Sequence, residues 1–248
     1  MSRWSLLYRS VFCRGGFGVH SPFAFDLITK VIEERCAYYF YGEIDSAYLQ
    51  LSQDRRKIMC ESRRTTVCKA FRKYGISLKE SKLLFRLANC CKPRSILAVG
   101  SSMGLIPLCL TGYASASYCL TLEKENDFAG MAASLVKKTT PSSIDIYLGE
   151  YEKQLARILK KTENIDCLYI GKEVDIQIQE KIFAQCVPFL GERSVCIVAD
   201  IHASPKRKRH WKLLCHHPKV TVSVDLCTLG ILFFHPRLNR RTYKSVIY

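Results

Sequence analysis

Ile96-Leu97-Ala98-Val99-Gly100-Ser101-Ser102-Met103-Gly104-Leu105 reads as a buried β-strand that runs into a glycine-bearing turn and then a helix. Glycine accepts the positive φ angles that a tight turn needs and lets backbone approach a ligand closely. Strand, turn and helix in this order put Gly100 and Gly104 at the carboxyl end of a strand, where open α/β sheets bind ligands. The spacing is Gly-x-x-x-Gly, not the Gly-x-Gly-x-x-Gly of dinucleotide sites, and no Lys-Ser/Thr follows to build a phosphate loop. Pyrophosphate binding is therefore disfavoured.

Outward from this stretch, β-type runs recur at Ser95–Val99, Tyr118–Leu122, Ile144–Leu148, Ile165–Ile170, Ser194–Ala199, Lys219–Val224 and Gly230–Phe234. Helix-length segments separate the first six, and parallel neighbours require such crossovers. The last two runs are too close for a crossover and predict an antiparallel hairpin at one end of the sheet. The expected fold is thus α/β and Rossmann-like: a seven-stranded, mostly parallel sheet with an antiparallel last strand and helices on both faces. The entering helix is announced by the capping-box spacing Ser77-Leu78-Lys79-Glu80 and closed by Lys92-Pro93. Residues 1–75 read differently. They carry the aromatic run Tyr38-Tyr39-Phe40-Tyr41 and a helix start at Ser21-Pro22 but no strand alternation, which predicts a helical N-terminal appendage on a domain over 76–248.

The chain has 248 residues, 48% of them hydrophobic, and 38 Lys+Arg against 22 Asp+Glu, for a net charge of +16. This is a globular composition. No apolar run approaches the roughly 20 residues of a membrane span. The first thirteen residues lack an uninterrupted apolar core and a small-residue cleavage site, so they read as mature protein. The 13 cysteines lie mostly inside apolar runs, without C-x-x-C pairs, which points to free thiols in a reducing cytoplasm and to no structural metal. Two basic clusters stand out, Lys206-Arg207-Lys208-Arg209 and the group Arg237, Arg240, Arg241 and Lys244. They read either as solvated faces or as a phosphate-binding surface for nucleic acid.

The second strand ends at Leu122-Glu123. A carboxylate at the tip of a neighbouring strand is placed to accept hydrogen bonds from ribose hydroxyls, so a nucleoside without phosphates suits it and the glycine turn together. Equally, Glu123 can simply begin the next helix, where negative charge is favoured.

At these residues the chain resembles the class I S-adenosylmethionine-dependent methyltransferases, and among them a bacterial O-methyltransferase-like group. The resemblance rests on Gly18-Val19-His20-Ser21-Pro22-Phe23-Ala24-Phe25-Asp26, Lys82–Leu87, the glycine turn, Thr121-Leu122-Glu123 and Ala199-Asp200-Ile201-His202-Ala203-Ser204, and spans about residues 15–235. It implies S-adenosylmethionine as cofactor over Gly100, Ser101, Ser102 and Gly104, with its ribose on Glu123 and its adenine near Gly149 and Glu150. It further implies that Tyr169-Ile170-Gly171, Asp200 and His202 face the methyl group and a small-molecule acceptor. Asp200 and His202 are the candidates for a base, and His20 is a further candidate for the acceptor pocket; each also has an ordinary reading as a cap or a hydrogen-bonded loop residue.

The chain departs from the family pattern at three points. Ala98 and Gly171 stand where the family carries acidic residues, and Ala199 precedes Asp200 where another is usual. One remaining carboxylate is a poor start for magnesium, so metal-dependent transfer is not expected. Two alternatives stay open: a degenerate methyltransferase fold kept as a binding or scaffold module, and a basic nucleic-acid-binding protein.

Overall fold

Seven strands of the expected set lie side by side in a computed structural model that describes residues 15–247, apart from 17, 114–116 and 140–142. The first thirteen residues, read as mature protein above, lie outside the described residues.

In chain order the structure begins with helix α1 (Pro22–Leu27), capped by Ser21 and continued by a π-turn at Ile28–Ile32. Helix α2 (Tyr41–Gln53) follows, then strands β1 (Lys57–Cys60) and β2 (Arg63–Thr66) and helix α3 (Val67–Tyr74). The α/β core comprises α4 (Leu78–Cys91), β3 (Ser95–Val99), α5 (Leu105–Thr111), β4 (Tyr118–Glu123), α6 (Asn126–Thr139), β5 (Ser143–Leu148), α7 (Tyr151–Leu159), β6 (Cys167–Ile170), α8 (Ile176–Cys186), β7 (Val195–Ala199), α9 (Pro205–Cys215), β8 (Val222–Asp225), β9 (Leu229–Phe233) and β10 (Arg241–Lys244).

The sheet order is β10-β8-β9-β7-β6-β3-β4-β5, and β9 alone runs antiparallel to its neighbours. The β8–β9 hairpin is present as expected, but the sheet holds eight strands, one more than the sequence suggests. β10 adds in parallel to β8 and covers what would have been the edge. Only Tyr243 on it is buried, so it shows almost no apolar alternation, and its exposed Arg241 and Lys244 blunt the new edge.

The appendage is not wholly helical. β1 and β2 form an antiparallel hairpin around Glu61 and Ser62, which have φ of 49° and 61°. The hairpin lies against α6, where the Asp127 carboxylate accepts from the Met59 N–H at 2.6 Å.

Two features bind the appendage to the core. Phe85 on α4 is fully buried and collects the aromatic run, stacking on Phe40 at 5.4 Å between centroids and meeting Tyr38, Tyr39 and Tyr41 edge-on. Arg86, also buried, donates to the Val31 and Ile32 carbonyls (2.6 and 3.1 Å) and to Tyr41 Oη (2.9 Å). A buried guanidinium is tolerated because these acceptors satisfy it. The capping box forms as read: Ser77 Oγ accepts from Glu80 N, and Glu80 Oε2 accepts from Ser77 N at 2.6 Å.

Candidate functional site

Between β3 and β6 the strand order reverses, and open α/β sheets bind ligands in the crevice above such a switch point. The residues that follow these two strands are Gly100 and Gly171; Gly171 N donates to Val99 O at 2.8 Å, one residue before Gly100. The glycine turn is wound tightly. Gly100, Ser102, Met103 and Gly104 have φ of 81°, 49°, 60° and 97°, and a side chain at Gly104 would come within 2.7 Å of Ala132 Cα.

Ser101 ties this turn to the neighbouring strand. Its N–H donates to Glu123 Oε1 at 2.7 Å, its hydroxyl donates to the same oxygen, and its Oγ accepts from Gly104 N at 2.9 Å. Glu123 is buried, and its second oxygen, Oε2, has no partner. Of the two readings of Glu123, the one as a mere helix starter is therefore insufficient: the carboxylate braces the turn and offers a free acceptor. Ser102 is also buried, with its hydroxyl on the Tyr74 carbonyl at 3.4 Å. Gly149 N donates to Glu123 O at 2.8 Å, while Glu150 is exposed and lies 3.9 Å from Lys124.

The residue that sequence reasoning missed is Glu173. Its carboxylate oxygens are buried and unpartnered, and a side chain at either Gly100 or Gly171 would overlap them. The loop carrying it is pinned through its backbone. Arg207 Nη2 donates to the carbonyls of Lys172 (2.7 Å) and Val174 (3.1 Å), and Gln179 Nε2 to those of Gly171 and Val174. Burial pushes the Glu173 carboxyl upward, against nearby backbone N–H groups of Glu173 and Ser102 and the charges of Lys172 and Arg207. Burial likewise pushes Glu123 up, and the Glu173 charge adds to that rise. Glu123, Glu173, Tyr74 and Tyr151 line a cavity of about 110 Å³ that the β1–β2 hairpin closes with Cys60 and Glu61.

A second cavity, of about 350 Å³, opens across the same loop. The sheet gives it Ala199, Asp200, Thr228 and Leu229, and the appendage gives it Tyr48, Phe71 and Arg72. Lys172 and Glu80 complete its charges. Asp200 sits in a left-handed turn (φ 61°) whose N–H donates to Thr228 O at 2.6 Å. His202 does not join it there. Its Nε2 lies 2.7 Å from Asp225 Oδ2 at the end of β8, and it is not among the cavity's walls. His20 is exposed at the head of α1 and lines neither cavity.

Ala98 has Tyr169 as its cross-strand partner, and the fully buried Tyr169 hydroxyl has no hydrogen-bond partner. The basic clusters do not merge at one place. Lys206, Lys208 and Arg209 are exposed at the start of α9, whereas Arg240 reaches the chain just past its end, at the His217 and Pro218 carbonyls. Among the described residues no group of three or more His, Cys, Asp or Glu side chains converges as a metal site, and no helix is long and apolar enough to cross a membrane.

Solved structures share this fold. The chain is similar to the O-methyltransferase from Bacillus cereus in complex with SAH (TM-score 0.59, 17% identity, 84% of this chain and 96% of that one). It is also similar to the O-methyltransferase TomG from Streptomyces achromogenes in complex with SAM, at TM-score 0.57, 16% identity and coverage of 94% and 99%. A third likeness is to the SAH-bound methyltransferase PaMTH1 from Podospora anserina, at TM-score 0.58, 11% identity and coverage of 94% and 97%. At these identities the likeness establishes the fold. No protein-family model and no curated protein matches the chain.

Proposed function

We propose that this chain is an S-adenosylmethionine-dependent methyltransferase that holds its cofactor at the glycine turn and a small-molecule acceptor in the 350 Å³ cavity. The observation that carries this reading is Glu123: braced by Ser101 through one oxygen, buried, and left with the other unpartnered at the switch point. That arrangement suits a ribose, whose hydroxyls would satisfy the free oxygen. The crystallised cofactors of similarly folded O-methyltransferases agree with it.

In this reading Gly100, Ser101, Ser102 and Gly104 supply the backbone floor for the cofactor, Glu123 takes its ribose, and Gly149 and Glu150 border its base. The cofactor supplies a methyl group already activated on a sulfonium, so the protein's part is placement and exclusion of water. Asp200, in the acceptor cavity, takes the proton of an acceptor that arrives protonated. His202, tied to Asp225, acts at one remove by holding the turn that carries Asp200. No metal is required, since Glu80 Oε2 is already engaged in its helix cap and Asp200 is left as a single hard ligand. Free thiols at all the described cysteines fit a cytoplasmic enzyme.

One observation favours a second reading, a fold retained as a binding module. The cleft measures about 110 Å³, below the roughly 300 Å³ at which ordinary ligand pockets begin. Isothermal titration separates the two. Binding of S-adenosylmethionine at micromolar strength, about 8 kcal/mol, that is lost in Glu123→Ala supports the enzyme. Absence of binding both in the natural chain and in Glu173→Ala, which enlarges the cleft, supports the module. Nucleic-acid binding would instead show as RNA retention that weakens steeply with salt.

A further inference from the structure

Glu173 fits neither an ordinary core residue nor the resemblance. Its carboxylate lies over both glycines that flank the switch point, without a hydrogen-bond partner at either oxygen. Buried carboxylates are ordinarily paired, because desolvating an ion is costly. A second buried carboxylate, Glu123, faces the same 110 Å³ and also keeps an unpartnered oxygen. Around this cleft Lys124 alone stands against Glu61, Glu123, Glu125, Glu173 and Asp175, so negative charge is in excess.

The small residues at Ala98 and Gly171, which look like losses in the sequence, acquire a different meaning here. Gly171 is the space into which the Glu173 carboxylate folds, and an acidic side chain at that position would collide with it. Negative charge is therefore still present at the end of β6, supplied from two residues further along. The stem of Glu173 is only half-buried, and its loop is held by backbone carbonyls alone. The side chain can thus swing aside without unfolding the loop.

We propose that Glu173 is the specificity-determining residue of the cofactor cleft, giving up its place over Gly100 and Gly171 to a ligand that brings positive charge and holding it against a neutral one. This rests on the methyltransferase reading. A cationic ligand that enters the cleft pairs with the displaced carboxylate, whereas a neutral ligand of the same shape displaces it and offers no charge in return. S-adenosylmethionine, with its sulfonium, is of the first kind. S-adenosylhomocysteine keeps the α-ammonium and α-carboxylate but has a neutral thioether, so it is net neutral and of the second kind, and the same group would favour entry of donor and departure of spent cofactor.

The test is titration of the natural chain, Glu173→Gln and Glu173→Ala with each of the two ligands, with circular dichroism to show that the variants are folded. The natural chain is expected to prefer S-adenosylmethionine by about tenfold or more, and Glu173→Gln, which keeps the size and removes the charge, to bring the two affinities within about twofold. A preference that is the same in the natural chain and in Glu173→Gln overturns the proposal. So does binding of both ligands by Glu173→Ala alone, which would make Glu173 a steric block indifferent to charge. If no form binds either ligand, the methyltransferase reading itself has failed and the proposal falls with it.

Discussion

The two cavities at the carboxyl edge of the sheet share a wall, the loop from Gly171 to Val174, yet they are built on opposite electrostatic terms. The smaller is predominantly acidic, with Lys124 alone against five carboxylates, and the Glu123 and Glu173 carboxylates in it keep oxygens without a hydrogen-bond partner. The larger mixes signs, with Arg72 and Lys172 beside Asp200 and Glu80. Lys172 and Glu173 are consecutive, so one short loop turns a cation toward one cavity and an anion toward the other. The difference teaches where substitutions will be felt. At the buried Glu123 and Glu173 carboxylates a changed charge is weakly screened and alters folding free energy directly; in the open cavity water absorbs most of the change.

The sharpest way to break this contrast is to place an acidic residue at Gly171. Gly171→Asp would drive its Cβ into the Glu173 carboxylate and add a third carboxylate to a cleft that already has two unpaired. The expected loss in denaturant unfolding is more than about 3 kcal/mol. Combined with Glu173→Ala, most of that loss should vanish, because both the collision and the repulsion are gone. Equal losses in the two backgrounds would mean that Glu173 does not occupy the space over Gly171.

Next in size comes the pH dependence of stability. Glu123 and Glu173 both sit above the ordinary carboxyl value of 4.5, chiefly through burial. Folded chains thus keep protons that unfolded chains release, and stability should fall as pH rises above 4.5 toward neutrality. That is opposite in sign to the usual carboxylate that gains an ion pair on folding. Glu173→Gln should flatten the fall and leave the variant more stable than the natural chain at pH 8. Unfolding curves between pH 5 and 8 that rise together for both proteins would show that the pair is ionised and satisfied in the folded state.

His202 tests the open side. Its contact with Asp225 at 2.7 Å joins the Asp200 turn to β8, so His202→Ala should cost about 1–3 kcal/mol of stability while leaving cofactor affinity unchanged. A large loss of cofactor affinity at unchanged stability would place His202 at the cofactor site.

These contrasts also mark what the sequence could tell. Apolar runs bounded by turns located β3 from Ser95 to Val99 and the other core strands to within three residues at each end, because strands buried on both faces are continuous apolar stretches. β10 was illegible, since an edge strand with only Tyr243 inward has no such signature. The β1–β2 hairpin was hidden because Glu61 and Ser62 take the positive φ angles that Asn-Gly or Gly-Gly would have announced. The glycine turn and Glu123 were visible as local motifs. Glu173 was not, because its role exists only once β6 lies beside β3, a pairing of residues some seventy positions apart. The switch-point rule was the available signal: it singles out the loop after whichever strand neighbours β3 on the far side. His202 was a candidate base through the resemblance, but its Nε2 lies on Asp225 and it does not line the Asp200 cavity, a pairing out of reach of local reading.

The smallest expected effect probes whether the two cavities are electrically one. Lys172 bounds the open cavity with its side chain, while its carbonyl, not its ammonium, receives Arg207. Truncation in Lys172→Ala therefore leaves the loop pinned, and stability near pH 5 should change by less than about 0.5 kcal/mol. Yet the Lys172 charge is one of the influences holding the Glu173 carboxyl down. Without it that carboxyl rises further, and the decline of stability with pH should extend to higher pH than in the natural chain. A profile that moves in this direction makes the loop a conduit, through which the charge of whatever occupies the open cavity adjusts the carboxylate guarding the closed one. An unmoved profile makes the loop a partition, and the readiness of the cleft to admit a cation then depends on Glu173 and Glu123 alone.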